Sequence, residues 1–103
     1  MYRERIHLTV SDRAGWGEAV DVMKEMNTIM DRLAQPKATF WTETVGRFSR
    51  LTVEIDHVDL TAYEANHKAI YSDPDVQKQM QRLSAATIPS EGWTELLETV
   101  PVD

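Results

Sequence analysis

The sequence predicts an α+β domain of element order β-α-β-β-α-β, with four strands in one antiparallel sheet. Three observations predict it. The chain opens on a strand alternation, Ile6, Leu8 and Val10 separated by His7 and Thr9. A long amphipathic helix pattern follows, in which apolar and polar residues fill separate halves of the wheel. Beyond it come two strand patterns joined near Gly46, a second helical stretch and a final strand. The strand patterns carry large apolar residues on both faces, whereas one layer of helices covers only one. The uncovered face therefore predicts a second copy of the chain packed against it.

The first strand runs from about Tyr2 to Val10, and Ser11 to Gly15 form a turn. Gly15-Trp16-Gly17 leads into the first helix. At about 100° per residue, Trp16, Ala19, Val20, Val22, Met23, Met26, Ile29, Met30, Leu33 and Ala34 occupy one half of its wheel. Asn27 is the one polar residue in that half, and Pro36 stops the helix. A second strand spans Ala38 to Val45, with Phe40 and Trp41 on opposite faces. The third spans Phe48 to Val58, with Leu51, Val53 and Ile55 on one face and Thr52, Glu54 and Asp56 on the other. The short connection makes these two a hairpin.

The second helical region begins at Asp59 or Thr61, where Thr61-Ala62-Tyr63-Glu64 has the spacing of a capping box. Ser72-Asp73-Pro74 interrupts it, since Asp73 suits a cap and Pro74 a first helical position. Val76, Met80 and Leu83 form the stripe of the segment that follows. Thr87 to Gly92 is a loop, and Trp93 to Val100 a last strand in which Leu96 and Leu97 point to opposite faces.

The 103 residues form a single domain, 1–103, with 42% hydrophobic and 27% charged content typical of soluble globular proteins. A net charge of −6 argues against nucleic acid, which is held by Lys and Arg, and Arg47 with Arg50 are too few to overturn this. No apolar run approaches the ~20 residues of a membrane span, so no membrane partner is expected. The absence of cysteine removes disulfides and thiolate sites, and the lack of an apolar leader pattern predicts a cytoplasmic protein.

The element order is that of the ferredoxin-like split βαβ, with both helical regions on one face of the sheet. With the broken helix Tyr71-Ser72-Asp73-Pro74-Asp75-Val76 and the terminal strand Trp93-Thr94-Glu95-Leu96-Leu97, the chain resembles the dimeric α/β-barrel superfamily. Within it, the chain is similar to NIPSNAP-like and antibiotic-biosynthesis-monooxygenase-like domains. The resemblance implies a homodimer through the sheet face with helices outside. It implies a choice among cofactor-independent oxygenases, haem-degrading enzymes, isomerases, cyclases and proteins without known activity, which fold alone does not make.

Candidate chemistry starts with His7, whose ring suits acid–base work, and with Glu54 on the face of the same parity in the neighbouring strand. The two read either as a catalytic base with its orienting carboxylate or as a polar layer across a dimer interface. Asn27 either orients a ligand oxygen in a cavity between helix and sheet or serves as a structural amide. His67, one turn from Tyr63 and from Tyr71, reads as a solvent-edge histidine, and its Glu64-x-x-His67 spacing falls short of a metal site. His57 reads as a loop residue at a helix start. Trp41 and Tyr63, with the other tryptophans and the methionines, either line a pocket for a flat hydrophobic molecule or are core. The expected substrate-binding set is Asn27, Trp41, Tyr63 and His67, and the expected catalytic set is His7 and Glu54.

The sequence lacks a glycine-rich phosphate loop, a Gly-x-Ser-x-Gly elbow and a His-Glu-x-x-His motif. The expectation is an enzyme without a bound cofactor or metal, of monooxygenase, cyclase or isomerase type, acting on a hydrophobic aromatic or polyketide-like molecule. The alternative is a non-catalytic ligand-binding or structural homodimer, and a weaker third reading is haem held by a histidine.

Overall fold

The computed structural model describes residues 1–43, 45–46 and 49–102. The strands are β1 (Tyr2–Thr9), β2 (Thr39–Thr42), β3 (Arg50–His57) and β4 (Trp93–Glu98). The helices are α1 (Arg13–Arg32), α2 (Leu60–Tyr71) and α3 (Pro74–Ala86), and a 3₁₀ turn covers Pro89–Glu91. The sheet has the order β2-β3-β1-β4, with every neighbouring pair antiparallel. This is the ferredoxin-like arrangement the element order predicts.

The register settles the faces. Leu8 pairs with Leu51, Ile6 with Val53 and Glu4 with Ile55, while Phe40 pairs with Val53 and Leu96 with Glu4. Paired residues share a face, so these form the face that α1 and α3 cover. Trp41 pairs with Thr52 and Leu97 with Arg3, on the opposite face. That outer face is less apolar than the alternation suggests. Arg3 bonds Asp56 at 2.8 Å and Arg5 bonds Glu54 at 2.8 Å, so charged pairs fill much of it.

The core has two parts. One gathers Val10, Ala19, Val22, Met23, Leu51, Val53 and Leu83, and the other gathers Met30, Ile70 and Val76. Met26 packs against both. Val20, expected in the apolar half of α1, is exposed, because α3 flanks the helix on its other side and Arg82 there reaches Glu18 and Glu25.

Several boundaries differ from the sequence reading for local reasons. α1 begins at Arg13, since the carboxylate of Asp12 accepts from the Gly15 N–H at 2.7 Å and caps it. The close approach of Gly15 to the carbonyl of Ala86 leaves no room for a side chain, a Cβ there lying 2.8 Å from that oxygen. α1 ends at Arg32, before Pro36. Ala34 takes φ 56°, with Gln35 N–H bonded to the Met30 carbonyl and Ala34 N–H to that of Asp31. That is a Schellman stop built on alanine where glycine is usual. α2 is capped by Asp59, which accepts from Ala62 N–H at 2.7 Å, so the Thr61–Glu64 capping box does not start it. Asp73 caps α3 ahead of Pro74 as expected. β2 and β3 are shorter than predicted, and the predicted start of β3 at Phe48 lies outside the described residues.

Candidate functional site

A cavity of about 100 Å³ lies between the inner face of the sheet and the helices. Its walls are mostly apolar, with Ile6, Leu8 and Phe40 from the strands and Met23, Met26, Met30 and Met80 from the helices. Glu4, Asn27, His67 and Tyr71 are the polar groups among the lining residues.

Glu4 is the unusual one. Placed on the inner face by the parity of β1, it is only 3% exposed, and a carboxylate there needs compensation. His67 Nε2 from α2 lies 2.9 Å from Glu4 Oε2, and His57 Nε2 from the end of β3 lies 3.3 Å from Oε1. Asn66 Nδ2, which can only donate, lies 3.0 Å from His57 Nδ1. His57 therefore accepts at Nδ1 and carries its proton on Nε2, aimed at Glu4. At His67 the carboxylate, which only accepts, draws the N–H to Nε2, and in the neutral ring this leaves the lone pair on Nδ1. A carboxylate thus fixes the tautomer of an imidazole on the cavity wall, the arrangement by which buried acids orient a histidine base.

Tyrosines border the cluster. The Tyr63 ring is 4.3 Å from that of His67 and 5.2 Å from that of His57, and the Tyr71 ring is 5.1 Å from that of His67. Burial, and then the negative charge of Glu4, push both phenols above their ordinary range. Tyr71 accordingly keeps its proton at neutral pH and is among the residues that line the cavity.

The sequence-derived candidates divide between the two faces of the sheet. His7 and Glu54 share the outer face but do not pair. The register places Glu54 opposite Arg5, which takes it at 2.8 Å, while His7 meets Thr52 on one side and Trp93 on the other. His7 Nε2 lies 2.5 Å from Glu95 Oε1, and its ring stacks on Trp93 at 4.2 Å. The bond from His7 lowers the Glu95 carboxyl below its usual range, with a further contribution from the Trp93 N–H. Trp41, 55% exposed on the outer face, is remote in kind from the inner cavity and adjoins a polar hollow with Arg3, Lys37 and Asp56.

Asn27 lines the cavity, but its amide is held by the backbone. Its Nδ2 donates to the Ala38 carbonyl at 3.1 Å and its Oδ1 accepts from the Ala38 N–H at 3.0 Å. Tyr63 and His67 do come together, as expected. His67 lies at the solvent edge between Tyr63 and Tyr71, with 29% of its side chain exposed, and it is also a partner of a buried carboxylate, because α2 lays it over Glu4. His57 is the last residue of β3 and is buried, so its reading as a loop histidine fails for a reason of parity. Among the described residues, no group of three His, Cys, Asp or Glu side chains is arranged to hold a metal ion, and no helix is long and apolar enough to cross a membrane.

Glu4 and His57 were missed by sequence reasoning. Their signal was parity: Glu4 continues the Ile6–Leu8–Val10 face and His57 continues Leu51–Val53–Ile55. Two polar residues in phase with core positions on adjacent strands mark a buried polar pair.

No known family model matches the chain, and no curated protein does. Solved structures do. An uncharacterized NIPSNAP domain protein from Burkholderia xenovorans superposes with a TM-score of 0.78 at 14% identity, covering 97% of this chain and 95% of that one. A protein described as an antibiotic biosynthesis monooxygenase gives 0.75 at 9% identity, covering 98% and 100%. SnoaB, a cofactor-independent oxygenase from Streptomyces nogalater, gives 0.72 at 15% identity, covering 98% and 94%. The chain shares the ferredoxin-like fold of these NIPSNAP-like and monooxygenase-like proteins.

Proposed function

We propose that the chain is a cofactor-independent enzyme that moves a proton on a small, apolar carbonyl compound held in the inner cavity. The observation that carries this reading is the buried Glu4 carboxylate fixing His67 at the wall of an otherwise apolar space. In such a setting the charge of Glu4 stabilises the imidazolium that forms when His67 takes a proton.

The step balances within the substrate. His67 Nδ1 removes a proton from the carbon beside the carbonyl, and the C–H electron pair becomes the C=C of an enolate. The Tyr71 hydroxyl donates to the enolate oxygen as charge develops there. Where the substrate carries a C=C at the β,γ position, the enolate is a dienolate, and return of the proton from His67 to its γ-carbon moves the double bond into conjugation and gives an isomer, with no net oxidation. Capture of the same enolate by a second carbonyl of the substrate would give a cyclase, and capture by dioxygen an oxygenase, the class by which the neighbour SnoaB is described.

Size narrows the substrate. A cavity of about 100 Å³ is smaller than the ~150 Å³ site that admits benzene. A single ring fits if the methionines adjust, which their flexible thioether chains allow, whereas a fused polycyclic molecule does not. Assembly as a homodimer through the outer sheet face belongs to the same proposal, since exposed Trp41 and half-buried Leu97 lie there.

The test is conversion of cyclohex-3-enone to its conjugated isomer, followed by absorbance. The expected result is a rate above that of free imidazole that falls about 10²–10⁴-fold in His67→Gln and is unchanged in His7→Gln. A rate no greater than free imidazole, or one indifferent to His67→Gln, contradicts the proposal.

A further inference from the structure

The inner cavity has an outer neighbour. A groove of about 270 Å³ runs along the gap between α3 and β4, bordered by Ser84, Thr87, Pro89 and Trp93. Ile6, Leu8, Met80 and Leu83 line both the cavity and the groove, so these four side chains are the partition between them. Leu83 is buried and the two strand residues are fixed in the sheet. Met80 differs, being 36% exposed on an unbranched chain with three rotatable bonds. The edge strand on that side also lacks a helical cover, since Leu96 points to the inner face and is still 40% exposed.

We propose that Met80 is the gate between the two spaces, and that the ligand is a single ring carrying an unbranched tail that passes Met80 into the α3–β4 groove. This rests on the reading of the inner cavity as the substrate site and adds the substrate's shape to it. The occupant follows from three features. The cavity is small and takes one ring once its methionines adjust, the groove is larger and more open, and the groove is lined by both apolar and hydroxyl side chains that suit a flexible tail.

Binding decides this without turnover. Affinities of 4-methylphenol, 4-propylphenol and 4-pentylphenol are measured by calorimetry on the native chain, on Met80→Trp and on Ser84→Trp. Unfolding midpoints confirm that each variant is folded. On the native chain each added methylene is expected to tighten binding about three- to fourfold. Both variants should still bind 4-methylphenol but lose that gain, Met80→Trp by closing the gate and Ser84→Trp by filling the groove beyond it. The Ser84 variant keeps the proposal open to refutation if the Met80 variant does not fold, because Ser84 is exposed and lines only the groove.

If 4-methylphenol binds and the tail length makes no difference on the native chain, the gate is wrong and the cavity reading stands. A gain that survives in Ser84→Trp overturns the gate as well. Failure of the native chain to bind 4-methylphenol at all overturns the cavity reading and the gate together.

Discussion

Glu4 of β1 and His67 of α2, 63 positions apart in sequence, meet at 2.9 Å on the wall of the inner cavity. The contact joins a buried negative charge to an imidazole that is partly open to the cavity and solvent. His57, itself held by Asn66, meets the carboxylate from the other side, so the pair is fixed by three elements of the fold.

Replacement of Glu4 by glutamine separates charge from shape. The amide fills the same space, but its NH₂ opposes one of the two imidazole donors and no longer stabilises an imidazolium. Turnover is expected to fall on the order of 10³-fold. Stability is expected to fall by about 1–3 kcal/mol, the cost of leaving a buried N–H donor such as that of His57 unmatched. A variant as active as the native chain would remove Glu4 from the mechanism.

Asn27→Ala tests a positioning role. It deletes both bonds to the Ala38 backbone, which anchor the start of β2 to the middle of α1. Destabilisation of about 1–3 kcal/mol in a urea titration is expected, with binding of 4-methylphenol retained once the fold is saturated with ligand. Loss of binding at unchanged stability would instead make Asn27 a ligand contact.

Ala34 is a candidate for stabilisation. Its φ of 56° lies in the left-handed region, which costs an alanine about 1 kcal/mol and a glycine almost nothing. Ala34→Gly is expected to raise stability by about 0.5–1 kcal/mol, the Schellman stop outweighing the entropy of an added glycine. A fall in the unfolding midpoint would show that Ala34 is not held in that conformation.

The acid limb of stability follows from depressed carboxyls. The Arg3 bond holds Asp56 below its ordinary 3.8, the Arg82 bond holds Glu18 below 4.5, and the His7 bond holds Glu95 below 4.5. Because the folded values are the lower ones, the unfolded chain takes up protons first. Their contribution is complete above the unfolded values and is lost as pH falls through the folded ones. Stability is expected to drop below about pH 4.5, less steeply in Asp56→Asn and in about 1 M salt, which screens these exposed pairs. An acid limb unchanged in Asp56→Asn would rule out that pair as a contributor.

Much of the fold was legible because its signals are local. The apolar half-wheel of α1 gave its buried face, with Ala19, Val22, Met23 and Met30 in the core and Val20 the exception. Asp73 before Pro74 marked the break between α2 and α3. The site was less legible because it depends on register and on which helix lies over which strand end. His7 and Glu54 share parity, yet a two-residue offset in the β1–β3 pairing gives Glu54 to Arg5. Nothing in a one-dimensional pattern says that α2 carries His67 over Glu4. Parity alone could have flagged Glu4 and His57 as inner-face residues, since each sits two positions from a core aliphatic.

The most direct test of the account is a long-range ¹H–¹⁵N spectrum of the three histidine side chains, recorded with and without 4-methylphenol. His57 is expected as the Nε2–H tautomer, with ring-nitrogen shifts at His67 when the phenol binds and no change at His7. Shifts at His7 with His67 unmoved would place the ligand on the outer face of the sheet and contradict the inner site.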